Sequence, residues 1–129
     1  MSAARILVVD DDANMLLLMK YHLEKRGHSV VTAGDGAGAI ETARREQFDL
    51  LLLDVMIPGL SGFEVCRLLR KDPAYRHTPI LLVTARGRKE DFQEAESCGA
   101  SEYVAKPFDP IRLPATVGEH LAARSEASE

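Results

Sequence analysis

With 129 residues and 46% hydrophobic content, the chain has the size and apolar fraction of one domain around one sizeable core. Its net charge is −4 at pH 7 with acids and bases interspersed, so no basic stripe marks direct nucleic-acid binding by this chain. No apolar run approaches the roughly 18 residues of a membrane span, and "MSAARILVVDDD" is too short an apolar start for a signal peptide, so a cytoplasmic protein is expected.

"RILVV" (5–9) is a continuous apolar run that predicts a strand covered on both faces. The segment 12–26 has helical spacing, with Met15, Leu16, Met19 and Leu23 on one face, Asp12 as N-cap and Gly27 as the stop. "SVVTA" (29–33) predicts a second strand, and 37–46 a second helix facing inward through Ala39, Ile40 and Ala43. "DLLLL" (49–53) is the most apolar strand, yet it runs straight into Asp54, and an unpartnered carboxylate in an apolar interior costs several kcal/mol. A third helix over 62–71 opens with "SGFE", where Ser61 and Glu64 form a capping box, and buries Phe63, Cys66 and Leu69. "PILLVT" (79–84) predicts the fourth strand. The helix after it, about 88–98, is mostly polar and is anchored by Phe92 and Ala95. "EYVA" (102–105) is the fifth strand. A fifth helix is expected from Asp109-Pro110, with Leu113, Val117 and Leu121 inward, kinked or weakened by Pro114 and Gly118. One domain over 1–124 is expected, followed by a small polar tail, 125–129, that frays.

Five strand–helix alternations require parallel strands joined by right-handed crossovers, with helices on both faces of the sheet: a doubly wound, three-layer (βα)5 α/β sandwich. In such a sheet the C-terminal strand ends share one rim, where ligand sites of open α/β sheets lie. Asp10, Asp11 and Asp12 follow the first strand; Asp54 ends the third, Thr84 the fourth, and Lys106-Pro107 the fifth. Carboxylates about 4 Å apart repel by roughly 1 kcal/mol in water and several-fold more near protein, so the rim calls for a hard divalent cation such as Mg²⁺ and for the lysine. Acids, cation, lysine and threonine hydroxyl together suit the holding of a phosphoryl group under attack by an aspartate. Elsewhere Cys66 and Cys98 stand alone as reduced, buried thiols, and His22, His28, His77 and His120 are too scattered for zinc. "GDGAG" (34–38) lacks dinucleotide-loop spacing, and no nucleotide-binding motif is present.

"ILVVDDD", "LLLLDVMIPGLSGFE", "PILLVTA" and "YVAKPF", in this order and spacing over residues 5 to about 122, resemble the signature segments of the receiver domain of two-component response regulators. The resemblance implies a flavodoxin-like sheet of order 2-1-3-4-5. It implies that Asp54 is a phosphoacceptor served by a sensor histidine kinase or phosphotransfer protein. It also implies Mg²⁺, with Mn²⁺ as a substitute, on Asp11, Asp54 and the backbone carbonyl of Met56, with Asp10 acting through water on the metal. Lys106 would pair with Asp54 and then with phosphoryl oxygens. Thr84 and Tyr103 would carry the switch to the face of the fourth helix, fifth strand and fifth helix, and Pro107 would follow a cis peptide bond. Met56 and Arg86 would set the phosphoryl lifetime. Such a chain catalyses only its own phosphorylation and dephosphorylation; its output runs through an effector domain or partner not identified by the sequence. Phosphorylation-dependent homodimerisation belongs to the large DNA-binding subfamily, from whose pattern Ser101-Glu102 and Pro114 depart. Two other readings stand beside this one. An aspartate-nucleophile phosphatase would need an acid where Met56 stands, and a receiver-like interaction module would have no use for the full acid, threonine and lysine set.

Overall fold

Strands β1 (Arg5–Val9), β2 (Ser29–Ala33), β3 (Leu50–Asp54), β4 (Ile80–Thr84) and β5 (Glu102–Ala105) form one sheet of order β2-β1-β3-β4-β5, and every neighbouring pair is parallel. Helices α1 (Ala13–Lys25), α2 (Gly36–Arg45), α3 (Gly62–Arg70), α4 (Lys89–Ser97) and α5 (Leu113–Ala127) make the crossovers. This computed structural model describes residues 4–85, 88–106, 109 and 111–127. The order and the doubly wound arrangement are those expected.

The two-residue repeat of a strand sorts the core. Leu7, Val9, Leu51, Leu53, Ile80 and Leu82 go to one face, where Ala39, Ile40 and Ala43 of α2, Phe63, Cys66 and Leu69 of α3, and Ala95 of α4 close over them. Ile6, Val8, Leu50, Leu52, Leu81 and Val83 go to the other, against Met19 and Leu23 of α1 and Leu113 and Val117 of α5. Continuous apolar runs in β1, β3 and β4 are therefore needed, because neither face of these strands meets water. Each buried leucine contributes roughly 1.5–3 kcal/mol. Edge strands β2 and β5 are only partly covered and carry polar residues accordingly.

Local chemistry fixes the helix ends. The Asp12 carboxylate accepts from the amides of Asn14 and Met15, Asp35 accepts from Gly38, and Ser61 and Glu64 form the reciprocal capping box. Gly27, at φ 94°, ends α1 in the left-handed region.

The structure corrects several expectations. Helix α5 starts at Leu113, so Pro114 lies in its first turn, where no intrahelical amide bond is lost. Asp109 instead organises the preceding turn: its carboxylate accepts from Ile111 and its carbonyl from Arg112 and Leu113. The expected N1 residue, Pro110, lies outside the described residues. The helix runs on to Ala127 through good helix formers, over part of the stretch read as a tail. Of the two expected anchors of α4, Ala95 is buried but Phe92 is 47% exposed, and Asp91 and the adjoining Cys98 are buried with Ala95. Cys66 and Cys98 are buried as expected but do not stand alone, since the Cys66 thiol donates to the Cys98 carbonyl at 3.3 Å.

A 3₁₀ turn at Pro73–Tyr75, unforeseen in the sequence, places the Tyr75 hydroxyl under the sheet to donate to the Ala43 carbonyl at 2.5 Å and meet the Glu46 carbonyl at 2.8 Å. Beside it the Arg70 guanidinium donates to the carbonyls of Thr78 at 2.6 Å, Tyr75 at 2.7 Å and Gly99 at 2.9 Å. One side chain thus ties the end of α3 to the entry of β4 and the exit of α4. Among the described residues no helix is long and apolar enough to cross a membrane.

Two glycines have opposite requirements. A Cβ on Gly62 would lie 2.6 Å from the Asp54 carbonyl oxygen and 2.8 Å from Val55 Cα, whereas one on Gly118 meets nothing within 4 Å. Gly62→Ala is expected to cost about 1–3 kcal/mol by forcing α3 off β3. Gly118→Ala is expected to add about 0.5–1 kcal/mol through helix propensity. Urea unfolding of the two variants checks both signs.

Candidate functional site

The side-chain repeat that builds the core also builds the site. Asp54 follows Leu50 and Leu52 in its row, Asp10 continues Ile6 and Val8, and Lys106 continues Val104, so all three reach the rim on the α1/α5 side. Asp10 and Asp54 are 1% and 6% exposed, so their charge is largely withdrawn from water. Lys106 Nζ answers both, 2.9 Å from Asp10 Oδ2 and 3.1 Å from Asp54 Oδ2. The second oxygen of each acid accepts from the loop it leads into: Asp10 Oδ1 from the Asp12 amide at 2.9 Å, Asp54 Oδ1 from the Met56 amide at 3.0 Å. Asp11 is exposed beside them, and Asp10, Asp11 and Asp54 each offer a carboxylate oxygen within 4.8 Å of the others.

One ammonium among three carboxylates leaves the pocket negative. Burial raises the Asp54 pKa above the ordinary carboxylate value, and the neighbouring Asp10 charge acts in the same direction, against the Met56 amide and Lys106. Burial alone would lower the Lys106 pKa, but its hydrogen bonds and charge pairing with Asp10 and Asp54 raise it, so it stays an ammonium. The pocket is an acidic, oxygen-only donor set that could bind a hard metal ion.

The remaining residues singled out in the sequence take different places. Thr84 is fully buried at the end of β4, one residue past the Val83–Asp54 pairing, in the row of Ile80 and Leu82. Its carbonyl accepts the Lys106 amide at 2.6 Å, which joins the end of β4 to the start of the lysine loop. Tyr103 pairs with Leu82 further down the sheet and is not part of the acidic cluster. Its ring lies between Phe63 of α3, at 6.5 Å, and Phe92 of α4, at 4.6 Å and edge-on. The Met56 side chain is 53% exposed on the loop after β3. Arg86 and Pro107, the latter with its expected cis bond, lie outside the described residues.

Two contacts had no sequence signal. The Lys106–Asp10 pair joins residues 96 positions apart, and nothing in either neighbourhood distinguishes it from the expected Lys106–Asp54 pair. The aromatic bracket around Tyr103 requires α3 and α4 to be adjacent, which only the folded sheet establishes.

Comparison with known proteins identifies the family and the fold. The family described as "Response regulator receiver domain" matches residues 6–118. The chain is 42% identical over 122 residues to the alkaline phosphatase synthesis transcriptional regulatory protein PhoP of Bacillus subtilis, an alignment covering 95% of this chain and 50% of that protein. It is 47% identical over 116 residues to response regulator PleD of Caulobacter vibrioides, covering 89% of this chain and 25% of PleD. The chain therefore spans half or less of these two relatives. The solved chemotaxis response regulator CheY4 of Vibrio cholerae has a TM-score of 0.87 at 34% identity, covering 92% of this chain and 99% of that one. With the family model matched over residues 6–118 and the fold shared with a solved response regulator, this chain belongs to the receiver domains of two-component response regulators.

Proposed function

We propose that Asp54 accepts a phosphoryl group from a partner histidine kinase or phosphotransfer protein. The observation that carries this reading is the Lys106 ammonium bridging the buried Asp10 and Asp54 beside exposed Asp11. An Asp54 carboxylate oxygen attacks phosphorus in line while the bond from phosphorus to the donor nitrogen breaks, leaving an acyl phosphate on the aspartate. Lys106 already touches the attacking carboxylate, so it can shift its hydrogen bonds to the phosphoryl oxygens with little movement. Asp11, Asp54 and the Met56 carbonyl, with Asp10 behind them, would hold Mg²⁺ or Mn²⁺, which when bound would offset the charge of the phosphoryl oxygens.

The added charge acts next on Thr84, at the adjacent strand end, and through it on Tyr103, whose ring touches Phe92 of α4. Output then passes through the face of α4, β5 and α5 to an effector domain or partner protein, with homodimerisation as one form it can take. Residues 1–124 act as one receiver unit in the cytoplasm, and catalysis is confined to the protein's own acceptor. An aspartate-nucleophile phosphatase fits less well, because the position that should carry its second acid is the half-exposed thioether of Met56.

Incubation with a small phosphodonor and Mg²⁺ is expected to add one phosphoryl group to the wild type and none to Asp54→Asn, read by intact mass; addition to the variant would refute the assignment. The acceptor's charge also predicts stability. Because the folded state raises the Asp54 pKa, it holds that proton more tightly than the unfolded chain does. This group's contribution therefore falls as pH rises from the ordinary carboxylate range through the raised value. Without divalent cation near neutral pH, Asp54→Asn is expected to unfold at a higher temperature than wild type; Mg²⁺ should raise the wild-type midpoint and barely move the variant. A less stable variant would count against the electrostatic account. Finally, Met56 and Arg86 are expected to hinder the hydrolytic water so that the phosphorylated form lasts minutes rather than seconds. Met56→Asn with Arg86→Glu should speed its decay, and an unchanged rate would remove these residues from that role.

A further inference from the structure

Helices α2, α3 and α4 cover one face of the sheet. Helix α2 joins β2 to β3 and α4 joins β4 to β5, so they stand at opposite ends of that layer with α3 between them. Along the seam of α2 and α3 runs a groove of about 740 Å³. Its floor is apolar, made by Ile40 of α2, Leu68 of α3 and Leu60 of the loop between β3 and α3, and both leucines are only partly buried. Its rim carries Glu41, Arg44 and Arg45, all exposed. Arg45 reaches Glu41 at 3.7 Å, and Arg44 has no ion-pair partner among the described residues. An apolar floor with a mainly cationic rim suits an amphipathic helix that carries an apolar side chain flanked by acid.

Helix α4 has that pattern. Lys89, Phe92, Gln93 and Glu96 share its outer face at helical spacing. The Phe92 ring meets Tyr103 edge-on, yet nearly half of the residue stays in water. Glu94 is taken by Arg67, whereas Glu96 has no ion-pair partner among the described residues. The charges around Phe92 are thus the reverse of those around the groove. Within one chain the two surfaces cannot meet, because α3 lies between them and the Arg67–Glu94 pair ties α4 to α3. Only a second copy brings them together.

We propose that the groove between α2 and α3 docks helix α4 of a second copy of this chain, head to tail. Phe92 enters between Leu60 and Leu68 above Ile40. With the docked α4 running in the same direction as α2, Glu96 meets Arg44 and Arg45 while Lys89 meets Glu41. Lys89 and Glu96 lie two turns apart, roughly 10 Å along the helix, and Glu41 and Arg45 one turn apart, so the long cationic side chains close the difference. Each copy gives one surface and receives with another, which leaves a free groove and a free α4 at the two ends of every pair, and association continues past the dimer. Pairing of like faces through α4, β5 and α5 would instead close at two copies. One helix in one groove buries less than the roughly 1,200 Å² of a stable complex, so the contact is weak and follows concentration. It needs no phosphoryl group on Asp54.

The test is sedimentation equilibrium of the full, unphosphorylated chain from about 10 μM to about 1 mM near 0.15 M salt. The weight-average mass is expected to climb past that of a dimer. Arg44→Glu with Arg45→Glu should weaken association about tenfold or more, and so should Glu96→Arg, because each sets like charges against one another. Mixed in equal amounts, these two proteins should associate as the wild type does, since each reversed surface then meets its complement. Phe92→Ala should weaken association with every charge in place. All of these positions are exposed, so the variants keep the core, and far-ultraviolet circular dichroism checks that they do. A wild type that stays monomeric over the whole range, a mass that levels off at a dimer, association untouched by reversal of the two arginines, or a mixture as weak as its parts would overturn the proposal.

Discussion

The Lys106 ammonium between Asp10 and Asp54 is the interaction around which the molecule is organised. Two carboxylates taken out of water within reach of each other would each raise the other's charging cost. One cation within hydrogen-bonding distance of both makes the pair tolerable in the apo protein while leaving the pocket negative. Three strands must end together for this to occur, so the parallel sheet is a requirement of the site as well as its scaffold. The lysine comes from the end of the fifth strand, which means the pocket is completed only when the whole sheet has formed.

The two-sided core sorts the residues of the rim between the two sides of the sheet. Residues of one parity along the strands deliver Asp10, Asp54 and Lys106 to the α1/α5 side. Residues of the other parity deliver Thr84 and Tyr103 to the side covered by α3 and α4. The pocket and the aromatic bracket thus lie across the sheet from one another, and Thr84 stands at the end of β4, beside β3 and bonded through its carbonyl to the Lys106 amide.

Features encoded by local order were legible in the chain. The strand runs, the capping box at Ser61 and Glu64, and the acids and lysine at strand ends are short-range patterns, and parallel topology then brings the strand ends together without knowledge of any contact. Features made by distant partners were not. Tyr75 carries no mark of the carbonyls it meets, Arg70 reads as a surface helix residue, and Cys66 and Cys98 gain each other only when α3 and α4 pack side by side. Pro114 misled because its cost depends on whether it falls in the first turn or a later one, and two or three residues of boundary decide that.

Arg70 has a mechanical consequence. Its guanidinium grips the Gly99 carbonyl just beyond α4 and the Thr78 carbonyl just before β4, at the end of the molecule opposite the acidic rim. Any tilt of α4 therefore has its fulcrum at Gly99. A nine-residue helix rises roughly 12 Å from that point, so a few degrees of rotation at the anchored end becomes an ångström-scale sweep at Lys89.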